Sequence, residues 1–260
     1  MRRGTLLTIL LMSWAVPAAA QFVAPGGTIP AVANTPGENN TFWRSDVSIL
    51  NLSSSDTSVV LLLLPELRNA GPAFDPVVTD PIPIVGNGQL TLANVVTGIF
   101  GLRNVKGGLS VFSTNGAPLV LASRTYTNAA TGGSYGLNVN GVLAADTAWI
   151  ADLTENSFSR SNIGVFLPID PAANQALVFT VKLFDSQGAE VASGSLLFDQ
   201  AGLQQKGLDF FGVDDPLQGG WAEIRCSDPS AIWYAYATVI DNITGDSVYR
   251  PAISQQSSIP

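Results

Sequence analysis

One internal repeat constrains the fold of this chain more than any other feature of its sequence. The stretch TFWRSDV at residues 41–47 is matched by SFSRSNI at residues 157–163. An apolar run, a Gly-Gly step and a closing stretch with Thr-Gly-x-Ser then follow in the same order in both copies. Each copy has about 110 residues, the usual size for one hydrophobic core. The repeat therefore predicts two domains, at residues 38–145 and 146–252.

Strand patterns dominate inside each copy. Val47 and Ile49 share one face of an alternating run, and Ala222 and Ile224 alternate with the polar Glu223. Glycine, asparagine and aspartate turns separate the runs at short, regular intervals. This pattern predicts an all-β fold of two tandem immunoglobulin-like β-sandwich domains, with a jelly roll as the alternative. Short helical turns are expected at residues 92–100 and 208–212.

The two ends of the chain differ in composition from the repeats. Residues 1–20 begin with two arginines, continue with an apolar run and close with three alanines, which is typical of a secretory signal peptide. A membrane anchor is the alternative, and we expect no span in the mature chain. The Pro/Gly-rich residues 21–37 are expected to be a linker or an edge strand, and residues 253–260 a polar tail. The chain is thus expected to be secreted, periplasmic or on the cell surface.

Composition excludes several kinds of site. The 260 residues contain no histidine and one cysteine, which excludes a Ser-His-Asp triad, a histidine zinc site, a thiolate zinc cage and an intramolecular disulfide. The 20 acidic residues outnumber the 12 basic residues and give a net charge of −8. A surface of this sign repels phosphate, so nucleic acid is not an expected partner. Most of the acidic residues lie in the second copy, where a cation or a basic partner would bind best.

The Arg-Ser-Asp/Asn element of the repeat is the first candidate binding site. Arg44 and Asp46 lie two residues apart on a strand and so project from one face, as do Arg160 and Asn162. The pairs are either a polar ligand-binding spot in both copies or a structural cross-strand ladder. The change from aspartate to Asn162 favours the structural interpretation over shared acid-base chemistry.

Tryptophan side chains are the second candidate, because a flat indole can stack on a sugar ring. Trp43 is the one we expect to be exposed for such a contact. Trp221 and Trp233 align with apolar residues of the first copy and are expected to fill core positions. Ser159 stands in the second copy where the first has Trp43, so a role for this tryptophan would not be shared.

The loop DNITGD at residues 241–246 is a candidate Ca²⁺ site. Asp241, Asn242 and Asp246 could offer oxygen ligands to this cation. The spacing is not that of an EF-hand, and the first copy has Asn128 and Gly133 at the two outer positions. A turn is therefore the favoured interpretation, and no other cofactor is expected.

The opening of the first copy also carries a resemblance. Pro36-Gly37, the stretch 41–46 and Asn51 resemble the start of tandem β-sandwich modules in secreted bacterial proteins. The second copy, with its run around Arg160 and its ending at 241–246, is similar to the same group. This group is uncharacterised, so the resemblance implies a fold and export but no activity.

These observations together favour a non-catalytic module pair that mediates adhesion, assembly or scaffolding and binds an unidentified protein or surface glycan. The alternative is a carbohydrate-binding protein that uses Trp43. A glycosidase-type hydrolase, which would need two carboxyl groups across a cleft, is less favoured because no local motif nominates such a pair. We therefore expect no enzymatic activity.

Overall fold

The described part of the chain is almost entirely β-structure. The computed structural model describes residues 24–254 apart from 39, 68–74, 130–131, 142, 145, 174 and 215. The predicted signal peptide and residues 255–260 of the predicted tail lie outside the described residues. No helix within the described ranges is long and apolar enough to cross a membrane.

The first half of the chain forms antiparallel strands that pair with one another. In chain order they are β1 (Gly26–Pro36), β2 (Phe42–Asn51), β3 (Thr57–Pro65), β4 (Val77–Val78), β5 (Ile82–Ile84), β6 (Gln89–Leu92), β7 (Val105–Ser113), β8 (Leu119–Asn128) and β9 (Ser134–Leu137), with a short helix α1 (Val95–Gly98) after β6. The main path of pairing is β4-β3-β7-β1-β2-β8-β9, with β5 beside β3 and β6 beside β2. The helix confirms the first of the two predicted helical turns.

Strand β1 joins the two layers of this half. Its register against β7 shifts between Ile29 and Val32, and its last residues, Asn34–Pro36, also pair with β2. A bulge of this kind bends a strand, so that one strand contributes to both layers. The interpretation of residues 21–37 as a linker or an edge strand is therefore wrong for residues 26–36, which lie between two partner strands.

The second half forms two separate five-stranded sheets. Its strands are β10 (Leu143–Ala144), β11 (Thr147–Glu155), β12 (Ser159–Leu167), β13 (Leu177–Phe184), β14 (Glu190–Phe198), β15 (Gly202–Gly207), β16 (Leu217–Cys226), β17 (Trp233–Asp241), β18 (Ser247–Pro251) and β19 (Ile253–Ser254). One sheet has the order β10-β17-β12-β15 with β18 beside β17, and the other has the order β14-β13-β16-β11-β19. A 3₁₀ helix at Leu208–Phe211 confirms the second predicted helical turn.

Strand order corresponds between the two halves. The path β6-β2-β8-β9 of the first half has its counterpart in β15-β12-β17-β18 of the second, and β3-β7-β1 has its counterpart in β13-β16-β11. Ser45 and Ser161 occupy matching buried positions, and their hydroxyls accept backbone N–H bonds from Ala33 at 2.8 Å and Thr154 at 2.9 Å. Of the repeated Arg-Ser-Asp/Asn element, the serine thus has the same structural role in both halves.

Two expectations for the second half need correction. Trp233 is fully buried, but Trp221 is half-buried and stacks on Phe184 with ring centroids 3.9 Å apart. Since Ala222 and Ile224 point into the core, strand alternation places Trp221 on the outer face. The predicted tail is also wrong for its first residues, because β19 pairs with β11.

The two halves are joined through a small apolar cluster of their own. Leu64 from β3 packs with Phe166, Leu203 and Tyr236 from the second half, and all four are buried. Gly108 lies within β7. A Cβ atom at Gly108 would lie 2.1 Å from the Phe166 ring, so the missing side chain makes room for that ring. The contact of the four-residue cluster and Gly108, called the joint below, fixes how the two halves are oriented to each other.

Candidate functional site

A cleft of about 260 Å³ lies beside this joint, between the two halves. The first half contributes residues of β1, Lys106 of β7 and the inner-face residues of β2, β8 and β9 near their ends. The second half contributes the outer face of the sheet formed by β15, β12, β17 and β18. The cleft brings together three of the five predicted ligand-binding residues, namely Trp43, Arg160 and Asn162.

Trp43 forms part of the wall from the first half. It lies opposite Thr35 in the β1–β2 hairpin, whose turn is closed by a bond from the Gly37 N–H to the Thr41 carbonyl at 2.9 Å. A Cβ atom at Gly37 would lie 2.6 Å from the indole Nε1, so the indole rests directly on this glycine. Trp43 is half-buried and is therefore less exposed than the sequence led us to expect.

Arg160 bridges the two halves at the edge of the cleft. Its Nε lies 3.3 Å from Oε2 of Glu38, and its Nη1 donates to Oδ1 of Asn242 at 2.5 Å. The second cation of the lining, Lys106, lies 2.9 Å from Oε1 of Glu66. Both positive charges of the described lining thus have a carboxylate partner, and the cleft carries little net field.

Uncharged polar groups cover the floor that the second half provides. Asn162 donates from Nδ2 to the Thr238 hydroxyl at 3.4 Å, and the Tyr236 hydroxyl donates to Oε1 of Gln205 at 3.3 Å. Burial, with the nearby Tyr249 phenol and Glu66, raises the pKa of Tyr236 well above its usual value. The phenol therefore stays a neutral donor. A Cβ atom at Gly164 would lie 2.3 Å from the Tyr236 ring, so this glycine lets the ring lie flat on β12.

Ser247 is a floor residue with an unused polar atom. It opens β18, directly opposite Ile240 of β17, and is 7% exposed. Its Oγ is buried and has no hydrogen-bond partner among the described residues. A buried hydroxyl without a partner costs about 1–3 kcal/mol of stability, so such a group calls for an explanation.

Arg44 and Asp46 lie outside the cleft, on the outer face of β2. The Arg44 guanidinium lies 5.3 Å from the centre of the Phe42 ring. Oδ1 of Asp46 accepts the backbone N–H of Asn94 at 2.8 Å, and Asn94 is the left-handed residue that begins α1. Asp46 therefore holds the start of this helix, a structural role that has no equivalent at Asn162.

The loop at residues 241–246 is a hydrogen-bonded turn. Oδ1 of Asp241 accepts the N–H groups of Ile243 at 2.8 Å and Thr244 at 2.7 Å, and these bonds lower the pKa of its carboxyl. Oδ1 of Asp246 accepts the N–H of Ser247 at 2.8 Å, and Oδ1 of Asn242 is bound by Arg160. Among the described residues, no group of three or more carboxylate or thiol side chains is placed to hold a metal ion.

Glu155 is a titratable group close to the cleft. Its Oε2 accepts the backbone N–H of Ser161 at 3.1 Å. Burial raises the pKa of Glu155, and the negative charges of Asp209 and Glu38 act in the same direction, against the Ser161 bond and Arg160. Ionisation of Glu155 is therefore less favourable in the folded chain than in water.

Most of the cleft lining was not predicted from the sequence, including three polar residues of its floor, Gln205, Tyr236 and Ser247. Each lies at an outward position of a strand, where alternation alone predicts exposure to solvent. Gly164, which aligns with Ser48 of the first copy, was the available indication that a ring lies across β12.

Comparison with known proteins gives no family for the chain: no protein-family model matches it, and no curated protein is similar enough to count as a match.

Proposed function

We propose that the chain is an exported, non-catalytic pair of β-sandwich domains that mediates adhesion, assembly or scaffolding. The partner binds in the cleft between the two halves. The observation that carries this proposal is the closed joint beside the cleft, where Phe166 fits against Gly108 and is fully buried. Because that joint holds the halves together, the cleft has fixed walls and needs no large rearrangement to bind.

The chemistry of the lining favours binding over catalysis. A glycosidase of the usual kind uses two carboxyl groups on opposite sides of the bond it cleaves. The described lining contributes one carboxyl group, that of Glu38, and it is paired with Arg160. The leader-like residues 1–20 support export, and the repeat supports the division into two domains.

The test is a binding experiment in which the chain is added back to cells of the producing organism that no longer make it. Labelled purified chain is added to cells that lack it, and we expect saturable binding to the envelope. Trp43→Ala should weaken this binding by about tenfold, the equivalent of 1.4 kcal/mol, because the indole forms a wall of the cleft. Trp149→Ala, which changes a half-buried indole on the outer face of the other sheet, is the matched control.

Three results would contradict the proposal. Binding that does not saturate, or that responds equally to both tryptophan substitutions, would exclude the cleft as the contact site. Release of shortened envelope polymers during the incubation would show turnover and would make the chain an enzyme.

A further inference from the structure

The cleft has the chemical character of a site for an uncharged, hydroxyl-bearing ring. Its volume of about 260 Å³ lies just below the range of about 300–1,000 Å³ that is usual for drug-sized ligands. The space thus suits one sugar residue better than an extended chain. We infer that the cleft binds a single neutral sugar residue and that the Ser247 hydroxyl is one of its hydrogen-bond partners. This inference rests on the proposed function, because it assigns the ligand of the same cleft.

The unpaired hydroxyl of Ser247 is the observation that points to a ligand. Ser247 lines the cleft, is 7% exposed, and its Oγ has no partner within the structure. Folding has therefore already removed this group from water without giving it a hydrogen bond. Because Oγ itself is buried, the Ser247 side chain must rotate toward the cleft to meet a ligand hydroxyl, and it then gains a bond for which little further desolvation is needed.

The neighbouring groups match the remaining surface of a sugar. The Trp43 indole offers an apolar flat surface of the kind that stacks on the C–H face of a sugar ring. The amides of Asn162 and Gln205 and the hydroxyl of Thr238 offer both donors and acceptors, which sugar hydroxyls need. These groups are hydrogen-bonded to one another within the sheet, Asn162 to Thr238 at 3.4 Å and Tyr236 to Gln205 at 3.3 Å.

Charge pairing makes a neutral ligand a better fit than an anionic one. The two cations of the described lining, Arg160 and Lys106, are engaged by Glu38 and Glu66. An anionic sugar would have to compete with these carboxylates, whereas a cationic sugar would meet the paired cations. A neutral ring avoids both costs.

The experiment is titration calorimetry on the purified chain with methyl glycosides of neutral hexoses and of N-acetylhexosamines, and with glucuronate and glucosamine as charged probes. We expect at least one neutral glycoside to bind more tightly than both charged probes. Ser247→Ala should raise its Kd by about 2-fold to 10-fold, the effect of one hydrogen bond between neutral groups. Trp43→Ala should raise the Kd by at least the same factor.

The matched control is Ser113→Ala. Ser113 also has a buried hydroxyl oxygen without a partner in the part of the chain that the structure describes, but it lies in β7 away from the cleft lining. This substitution should leave the Kd unchanged. Neither serine substitution should lower the melting temperature of the free chain, because neither removes a hydrogen bond, and this readout separates a lost contact from a damaged fold.

The outcomes distinguish the inference from the proposed function. If no neutral glycoside binds while add-back binding to the envelope remains sensitive to Trp43→Ala, the sugar inference is wrong and the binding function stands. If a charged probe binds best, or Ser247→Ala leaves the Kd unchanged, the assignment of the cleft chemistry is wrong. If envelope binding is also absent, both fail.

Discussion

The fit of Phe166 against Gly108 can be tested by a double-mutant cycle across the joint. Phe166 is fully buried, and a Cβ atom at Gly108 would lie 2.1–2.3 Å from three of its ring carbons. Gly108→Ala alone therefore overpacks the joint and should cost about 1–3 kcal/mol. Phe166→Ala alone removes a buried ring and should cost about 3–5 kcal/mol. In the double variant the new methyl group occupies space that the ring has left, so the total loss should be no larger than that of Phe166→Ala alone.

Urea unfolding, followed by tryptophan fluorescence, measures each free energy of unfolding. The expected coupling is about 1–3 kcal/mol in favour of the double variant, well above the 0.3–0.5 kcal/mol within which distant sites usually add. Gly86→Ala is the control, because its Cβ atom would lie 2.1 Å from the Ser54 carbonyl oxygen, in a turn between β5 and β6. Its cost should be the same with and without Phe166. Simple additivity of Gly108→Ala and Phe166→Ala would refute the account of the joint.

Four further substitutions test the environment of the site and the repeated element. Glu155→Gln should raise the melting temperature at neutral pH and change it little well below the ordinary pKa of 4.5. The reason is that a carboxyl group with a raised pKa makes the wild-type chain less stable as the pH rises through this region. An equal effect at both pH values would contradict the raised pKa of Glu155. Ser45→Ala and Ser161→Ala should each cost about 1–3 kcal/mol in urea unfolding, because each leaves a backbone N–H without its partner. A large loss in one alone would show that the two serines are not equivalent. Asp241→Ala should lower the melting temperature equally with and without Ca²⁺, since the carboxylate binds two N–H groups of its own turn; a loss seen with Ca²⁺ alone would indicate a metal site.

The all-β fold could be predicted because local patterns determine it. Alternation at Val47 and Ile49 and at Ala222 and Ile224 places each strand and its buried face, and both pairs are fully buried in the structure. Residues 26–36 could not be placed in the same way. Their glycines and prolines are typical of loops, and it is pairing with the distant β7 on one side and with β2 on the other that makes them a central strand.

Part of the candidate site could also be predicted from the sequence, from residue type rather than from alternation. Trp43, Arg160 and Asn162 were predicted to bind a ligand because they are polar or aromatic groups on strands, and the cleft includes them. Arg44 and Asp46 have the same pattern but face away from it. The sequence repeats this strand in both copies, as β2 and β12, with the same two faces. The contact between the halves covers the outer face of β12 and not that of β2. Ser247 was missed because an unsatisfied hydroxyl is a property of its surroundings.

The covered face of β12 makes the two halves complementary rather than interchangeable. At the positions of Gly164 and Phe166, the corresponding strand of the first half has Ser48 and Leu50, a surface without the gap or the ring that the joint requires. The two halves therefore contact each other through two different surfaces. A chain built from two copies of the first half would lack Phe166 and Tyr236 and could not form this contact.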